Sequence, residues 1–170
     1  MKMQVGKLSV LLIILSFIAC KKQESFGALT DLKPAIPVTV ANVYENLNSA
    51  SVKASKAENK IVITLQIPAE SGRTIKEITK VAAATTGSYS AIYSSTTVSS
   101  SGLYSNTPIS GSGTSVTFTT TFDEYRSKTG GTANTVYTSN ALLARDFYFL
   151  LTLDNEETII PQFVRVWVVD

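Results

Sequence analysis

Apolar and polar residues alternate with a period of two through most of the chain after about residue 38. Ile61, Ile63, Leu65 and Ile67 alternate with Val62, Thr64 and Gln66, between Glu58-Asn59 and Pro68. Val116, Phe118, Thr120 and Phe122 alternate with threonines, and Val164, Val166 and Val168 with Arg165, Trp167 and Val169. This is the strand period, in β-branched and aromatic residues that favour strands. Phe147, Phe149, Leu151 and Leu153 form a further row. Tyr148 and Leu150 between them predict a central strand covered on both faces. Weaker strands are predicted at 50–56, 74–84 and 88–98. Ile75, Ile78 and Val81 also read as a helix face. Ser99–Gly113 reads as a long polar loop.

Turn and cap residues divide these runs. Asp154-Asn155-Glu156-Glu157 predicts a hairpin loop of about four residues. Pro161 lacks a ladder donor, so the final run bulges or switches pairing there. Thr121-Phe122-Asp123-Glu124 has the form of a capping box, with Asp123 and Glu124 in the favourable first turn of a helix. Arg126 and Lys128 lie toward its end, and Gly130-Gly131 stop it, which predicts one short helix over 122–128. About seven short strands and one connecting helix give an all-β fold. The expected architecture is an antiparallel β-sandwich of immunoglobulin-like or fibronectin-like kind over residues 38–170.

The N-terminus has a different pattern. Lys2 and Lys7 flank the start of an apolar run, Leu8 to Ile18, which leads to Ala19-Cys20. A basic start, an apolar stretch of about 7–15 residues and a small residue before the cut make a secretory signal; the run is too short to span a bilayer. With Cys at the cut, residues 1–19 resemble a bacterial lipoprotein signal, whose Cys is acylated, although Phe17 stands where such signals usually carry Leu. Cys20 is therefore the candidate lipidation site, with a free thiol as the alternative. Several acyl chains hold a membrane stably where one does not. Residues 20–37, with Pro34 and Pro37, read as an extended tether.

Composition limits the chemistry. Removing the leader takes Lys2 and Lys7 from 15 basic residues and leaves 13, against 13 acidic. A mature chain near neutrality lacks the basic excess that nucleic-acid binding uses. There is no histidine, and Cys20 is the only cysteine. That removes histidine-dependent nucleophilic catalysis, imidazole metal sites and disulfides within the chain. No metal site and no cofactor are expected.

Residues 81–122 carry no charge and are rich in Ser, Thr, Gly and Ala; a second uncharged stretch spans 129–144. Hydroxyl-rich exposed strands account for this. The functional alternative is a glycan-binding or protein-binding face made by Tyr89, Tyr93, Tyr104 and Tyr137, because tyrosine joins apolar area to hydrogen bonding. An enzyme reading needs two carboxylates across a cleft. The available groups are Asp123 and Glu124, which suit helix capping, and Asp154, Glu156 and Glu157, which suit a solvated turn. Arg145-Asp146 is expected to form a salt bridge or a strand-end gatekeeper.

The run Arg145 to Glu157 followed by Val164-Arg165-Val166-Trp167-Val168 resembles the last hairpin of small Bacteroidota outer-membrane lipoproteins with an immunoglobulin-like domain. The Thr-Phe-Asp-Glu-Tyr segment before Gly130-Gly131 is similar to their connecting helical turn. The resemblance implies a non-enzymatic binding or assembly lipoprotein, anchored to the outer membrane of the cell envelope, with a glycan or an envelope protein as partner. A carboxylate-dependent hydrolase acting on glycans is the alternative. Surface export in that group goes with acidic residues after the Cys. Here Lys21-Lys22-Gln23 come first, which leaves both the periplasmic and the surface-exposed orientation open.

Overall fold

Strand alternation of the kind seen at Ile61–Gln66 buries one side of each strand, and the chain satisfies this with layered sheets. The computed structural model describes residues 34–46, 48–100, 102–132 and 137–170. Cys20, the leader 1–19 and most of the expected tether lie outside the described residues. The compact unit runs Pro34–Asp170. Ile36, expected in the tether, instead packs against the core.

The strands in chain order are β1 (Thr39–Val40), β2 (Glu45–Asn46), β3 (Ala50–Ser55), β4 (Ile61–Gln66), β5 (Ile75–Ala84), β6 (Leu103–Ser105) and β7 (Ile109–Ser110). After them come β8 (Ser115–Thr120), β9 (Ala141–Leu142), β10 (Asp146–Leu153), β11 (Thr158–Ile159) and β12 (Arg165–Val169). Helix α1 (Ser90–Tyr93) follows β5, and α2 (Phe122–Lys128) follows β8. The strands form three sheets: β1-β4-β8, then β11-β10-β5-β6 with β7 also on β5, then β2-β3-β12-β9. The fold is mostly β, and the named strands pair antiparallel except where β12 runs parallel to β3; an isolated bridge between Val98 and Leu103 is also parallel.

One apolar cluster joins the sheets. It takes Ile61, Ile63 and Leu65 from β4, Val116 and Phe118 from β8, Phe147, Phe149 and Leu151 from β10, and Val166 and Val168 from β12. A smaller cluster covers the opposite face of β5 and β10, where Ala82, Ala84 and Tyr148 meet Ala91 and Ile92 of α1. The small alanines let the helix approach the sheet. β10 is thus central and covered on both faces, as its unbroken apolar run predicts.

β5 is a strand, and its helix-like spacing has a physical cause. Leu153, Leu151 and Phe149 of β10 pair with Ile75, Ile78 and Val81, with register shifts that leave Lys76 and Thr79 as extra residues. Each bulge lengthens the apolar repeat from two residues to three while the same face stays buried.

Other expectations need correction. The segment 88–98 is not a strand. It carries α1, because Ala91 and Ile92 bury against Tyr148 and Phe163. The loop expected at 99–113 contains β6 and β7, anchored by buried Leu103 and Tyr104. Twelve strands occur among the described residues where about seven were expected, five of them only two residues long.

Around Pro161 the chain changes sheets. β11 pairs with β10, and after the proline β12 joins β3 and β9. In α2, Thr121 Oγ1 accepts from the Glu124 amide at 3.0 Å. The Glu124 carboxylate accepts from Thr120 Oγ1 at 2.8 Å, so the second half of the capping box is not formed. Gly130, at φ +80°, reverses the chain, and the Gly131 amide donates to the Arg126 carbonyl at 2.8 Å, which closes the helix.

Candidate functional site

The four tyrosines proposed as a contact face do not share one. Tyr104 is 2 % exposed. Its ring packs edge-on against Phe118 and Phe147, which makes it a core residue. Tyr137 is half-buried against Phe122 and Tyr125 and donates to the Phe122 carbonyl at 3.3 Å. Tyr89 packs edge-on against Tyr148, with ring centroids 5.0 Å apart. Only Tyr93 is strongly exposed, at 69 %.

The carboxylates are engaged elsewhere. Asp123 accepts from Asn59 Nδ2 at 2.7 Å and from Arg126, and Glu124 pairs with Lys128 at 2.8 Å. That ammonium, with help from Thr120, holds the Glu124 carboxyl below the usual carboxylate range. On the β10–β11 hairpin, Glu156 pairs with Lys76 at 2.6 Å, and Asp154 lies 4.0 Å from Arg73. Arg145 and Asp146 do not pair with each other. The guanidinium donates to the carbonyls of Ala83 at 3.3 Å and Ser100 at 2.7 Å. Asp146 is buried, accepts from Thr86 Oγ1 at 2.6 Å and lies 4.0 Å from Arg165. Burial pushes its carboxyl above the usual range, against the opposing pull of Thr86 and Arg165. Among the described residues no group of three His, Cys, Asp or Glu could hold a metal ion.

An open groove of about 370 Å³ lies between the C-terminal end of α2 and residues 137–145, lined by Tyr125, Tyr137, Leu142 and Arg145 among others. A serine-rich hollow of about 330 Å³ lies beside α1, with Ser88, Ser90, Ser94 and Ser95. In the first, the polar groups of Tyr125, Tyr137 and Arg145 are spent on backbone carbonyls, and in the second Arg145 is the one charged lining residue.

The outer face of the sheet β2-β3-β12-β9 gathers charged and aromatic groups together. Val166 and Val168 of β12, and Val52 and Ala54 of β3, point into the core. The alternation therefore turns Arg165 and Trp167, and Ser51 and Lys53, outward. Parallel pairing sets Lys53 opposite Trp167 and Ser51 opposite Arg165; Leu142 of β9 flanks Trp167 on the other side. The Tyr44 amide donates to the Ser51 carbonyl at 2.7 Å, which fixes the Tyr44 ring 6.5 Å from that of Trp167 at 49°. Lys53 Nζ stands 4.0 Å over the Tyr44 ring. Tyr44 and Leu142 are 43 % and 39 % exposed. A recess of about 50 Å³ beside Trp167 is lined by Glu45, Ser49, Ser51 and Arg165. Ser49 Oγ, buried at its wall, has no hydrogen-bond partner among the described residues. That recess has room for a water or a ligand hydroxyl.

This face combines an apolar platform, a cation and hydroxyls, which is what a non-covalent contact surface needs. The outward phase of Trp167 was readable from the Val164, Val166, Val168 row. Tyr44 lies in no apolar repeat and gave no signal.

No protein-family model, curated protein or solved structure matches this chain.

Proposed function

We propose that this chain is a non-enzymatic binding or assembly lipoprotein, anchored through Cys20 to the outer membrane of the bacterial cell envelope. Its contact face is centred on Trp167 and meets a glycan or an envelope protein. The leader and Cys20 support the anchor. The immunoglobulin-like reading is supported by the strand order, with β4 and β8 neighbours in one sheet and β5 and β10 in a second, and by the parallel pairing of β3 with β12 in the third. The observation that carries the binding role is the cluster of exposed Tyr44, Lys53 and Leu142 around half-buried Trp167 on one sheet face. Aromatic side chains of this kind give large contact area at low entropic cost.

Two measurements test the reading. Cells fed an alkyne fatty acid should label the wild-type chain and not Cys20→Ala; equal labelling of both removes the anchor. A glycan array and an envelope pull-down with the full chain should each be compared with Trp167→Ala. Binding that survives this substitution unchanged removes the face.

A further inference from the structure

Sheet edges expose unpaired backbone groups, and proteins commonly protect them by keeping edge strands short or charged. In this chain the edge strands β1, β2, β9 and β11 are two residues long, and β6 and β7 are three and two. β8 differs. It is six residues long, pairs with β4 on one side only, and contains neither a charge nor a proline in Ser115–Thr120.

The register shows which of its backbone groups are free. Val62 and Thr64 of β4 direct their carbonyls to the β1 side, to Asn42 Nδ2 at 2.9 Å and the Ala41 amide at 2.8 Å. Their partners across β8 are Thr119 and Thr117. In an antiparallel ladder such pairs do not exchange hydrogen bonds, so the N–H and C=O groups of Thr117 and Thr119 point away from β4. Ser115, in the same phase, confirms the direction. Its amide and carbonyl bond to Ser112, at 3.1 and 2.7 Å, on the side away from β4. Beyond Ser115 the edge has no backbone partner among the described residues. The Thr117 and Thr119 side chains are exposed.

We propose that this edge pairs with the same edge of a second copy, antiparallel, joining two β1-β4-β8 sheets into one. Self-pairing fits because the edge presents no charge to oppose its own copy. β6 and β7 likewise fall within the uncharged stretch 81–122. The sheet already contains the required cross-strand pair, since Thr64 Oγ1 and Thr117 Oγ1 are 3.1 Å apart across β4 and β8. A second β8 would set threonine opposite threonine again. This interface is independent of the Trp167 face.

The test is sedimentation equilibrium of the full chain in density-matched detergent. Wild type is expected to dimerise in the micromolar range. The double variants Thr117→Lys/Thr119→Lys and Thr117→Glu/Thr119→Glu should each self-associate at least about tenfold more weakly, because like charges then face each other across the join. Mixing the two variants should restore the dimer. In wild type, the Thr117 and Thr119 amides should exchange with solvent more slowly as concentration rises. A wild-type monomer with concentration-independent exchange overturns the proposal, as does a dimer that persists in both charged variants.

Discussion

The Tyr104 hydroxyl lies 2.5 Å from Thr120 Oγ1, inside the core. Thr120 has one proton and places it on Glu124 at 2.8 Å, so Tyr104 is the donor to Thr120. Lys128 closes the arrangement, 2.8 Å from Glu124 and 4.6 Å over the Tyr104 ring. A buried phenol in β6, a strand end in β8 and the first and last turns of α2 are thereby tied together. Tyr104→Phe keeps the ring contacts and removes one hydrogen bond, so it should cost about 1 kcal/mol in urea unfolding. Tyr104→Ala should cost about 3–5 kcal/mol, because it also empties the space between Phe118 and Phe147.

The pH dependence follows from the same residues. Burial holds the phenols of Tyr104 and Tyr125 far above the usual tyrosine range. The unfolded chain loses these protons near pH 10 while the folded chain keeps them, so their contribution is complete below about pH 10 and falls as pH rises beyond it. Glu124 works in the opposite direction. Its lowered pKa gives stability that is present above the unfolded carboxylate range, near pH 4, and is lost as pH falls. Urea midpoints measured across pH should decline at the alkaline end; at the acid end the loss from Glu124 is opposed by buried Asp146, whose raised carboxyl favours the folded state as pH falls. Tyr104→Phe should move the alkaline limb, and Glu124→Gln the acid limb.

Two glycines should respond differently to alanine. A Cβ on Gly111 would lie 2.0 Å from the Ile75 carbonyl oxygen, which belongs to the backbone of β5 and cannot swing aside. Gly111→Ala should cost about 3 kcal/mol. Gly87 has open space around it but a φ of +80°. Gly87→Ala should cost about 1 kcal/mol, from backbone strain alone. Urea unfolding of the two variants side by side separates steric collision from strain.

Trp167 is the sole tryptophan of the chain and stands on the proposed contact face. Its emission should therefore shift when a partner binds that face. Wild type and Lys53→Ala should unfold within about 0.5 kcal/mol of each other, since Lys53 is exposed. A partner that uses the cation should bind the variant more weakly. Fluorescence titration reads both effects without an added probe.

Local chemistry was legible, and tertiary context was not. Thr121, Gly130 and the 122–128 pattern located α2 because caps act within a few residues. The run Phe147–Leu153 located β10 because a strand covered twice is apolar on both sides. The bulges at Lys76 and Thr79 imitated a helical repeat, because a bulge is set by the partner strand and leaves no mark in its own composition. Helix α1 was missed because its four residues form only where Tyr148 and Phe163 receive Ala91 and Ile92. The tyrosine face failed for a similar reason. A phenol suits a wet surface and a satisfied core equally well, and Thr120 is what makes Tyr104 a core residue.

The parallel pairing of β3 with β12 joins residues 50–55 to 165–169, nearly the whole length of the unit. A chain that leaves a ribosome or crosses a membrane N-terminus first cannot complete that sheet until its last five strand residues are free. Until then Val52 and Ala54 have no β12 to cover them, and the Trp167 face does not exist. Strand β12 acts as a latch on the fold, because the sheet β2-β3-β12-β9 closes only once residues 165–169 are in place.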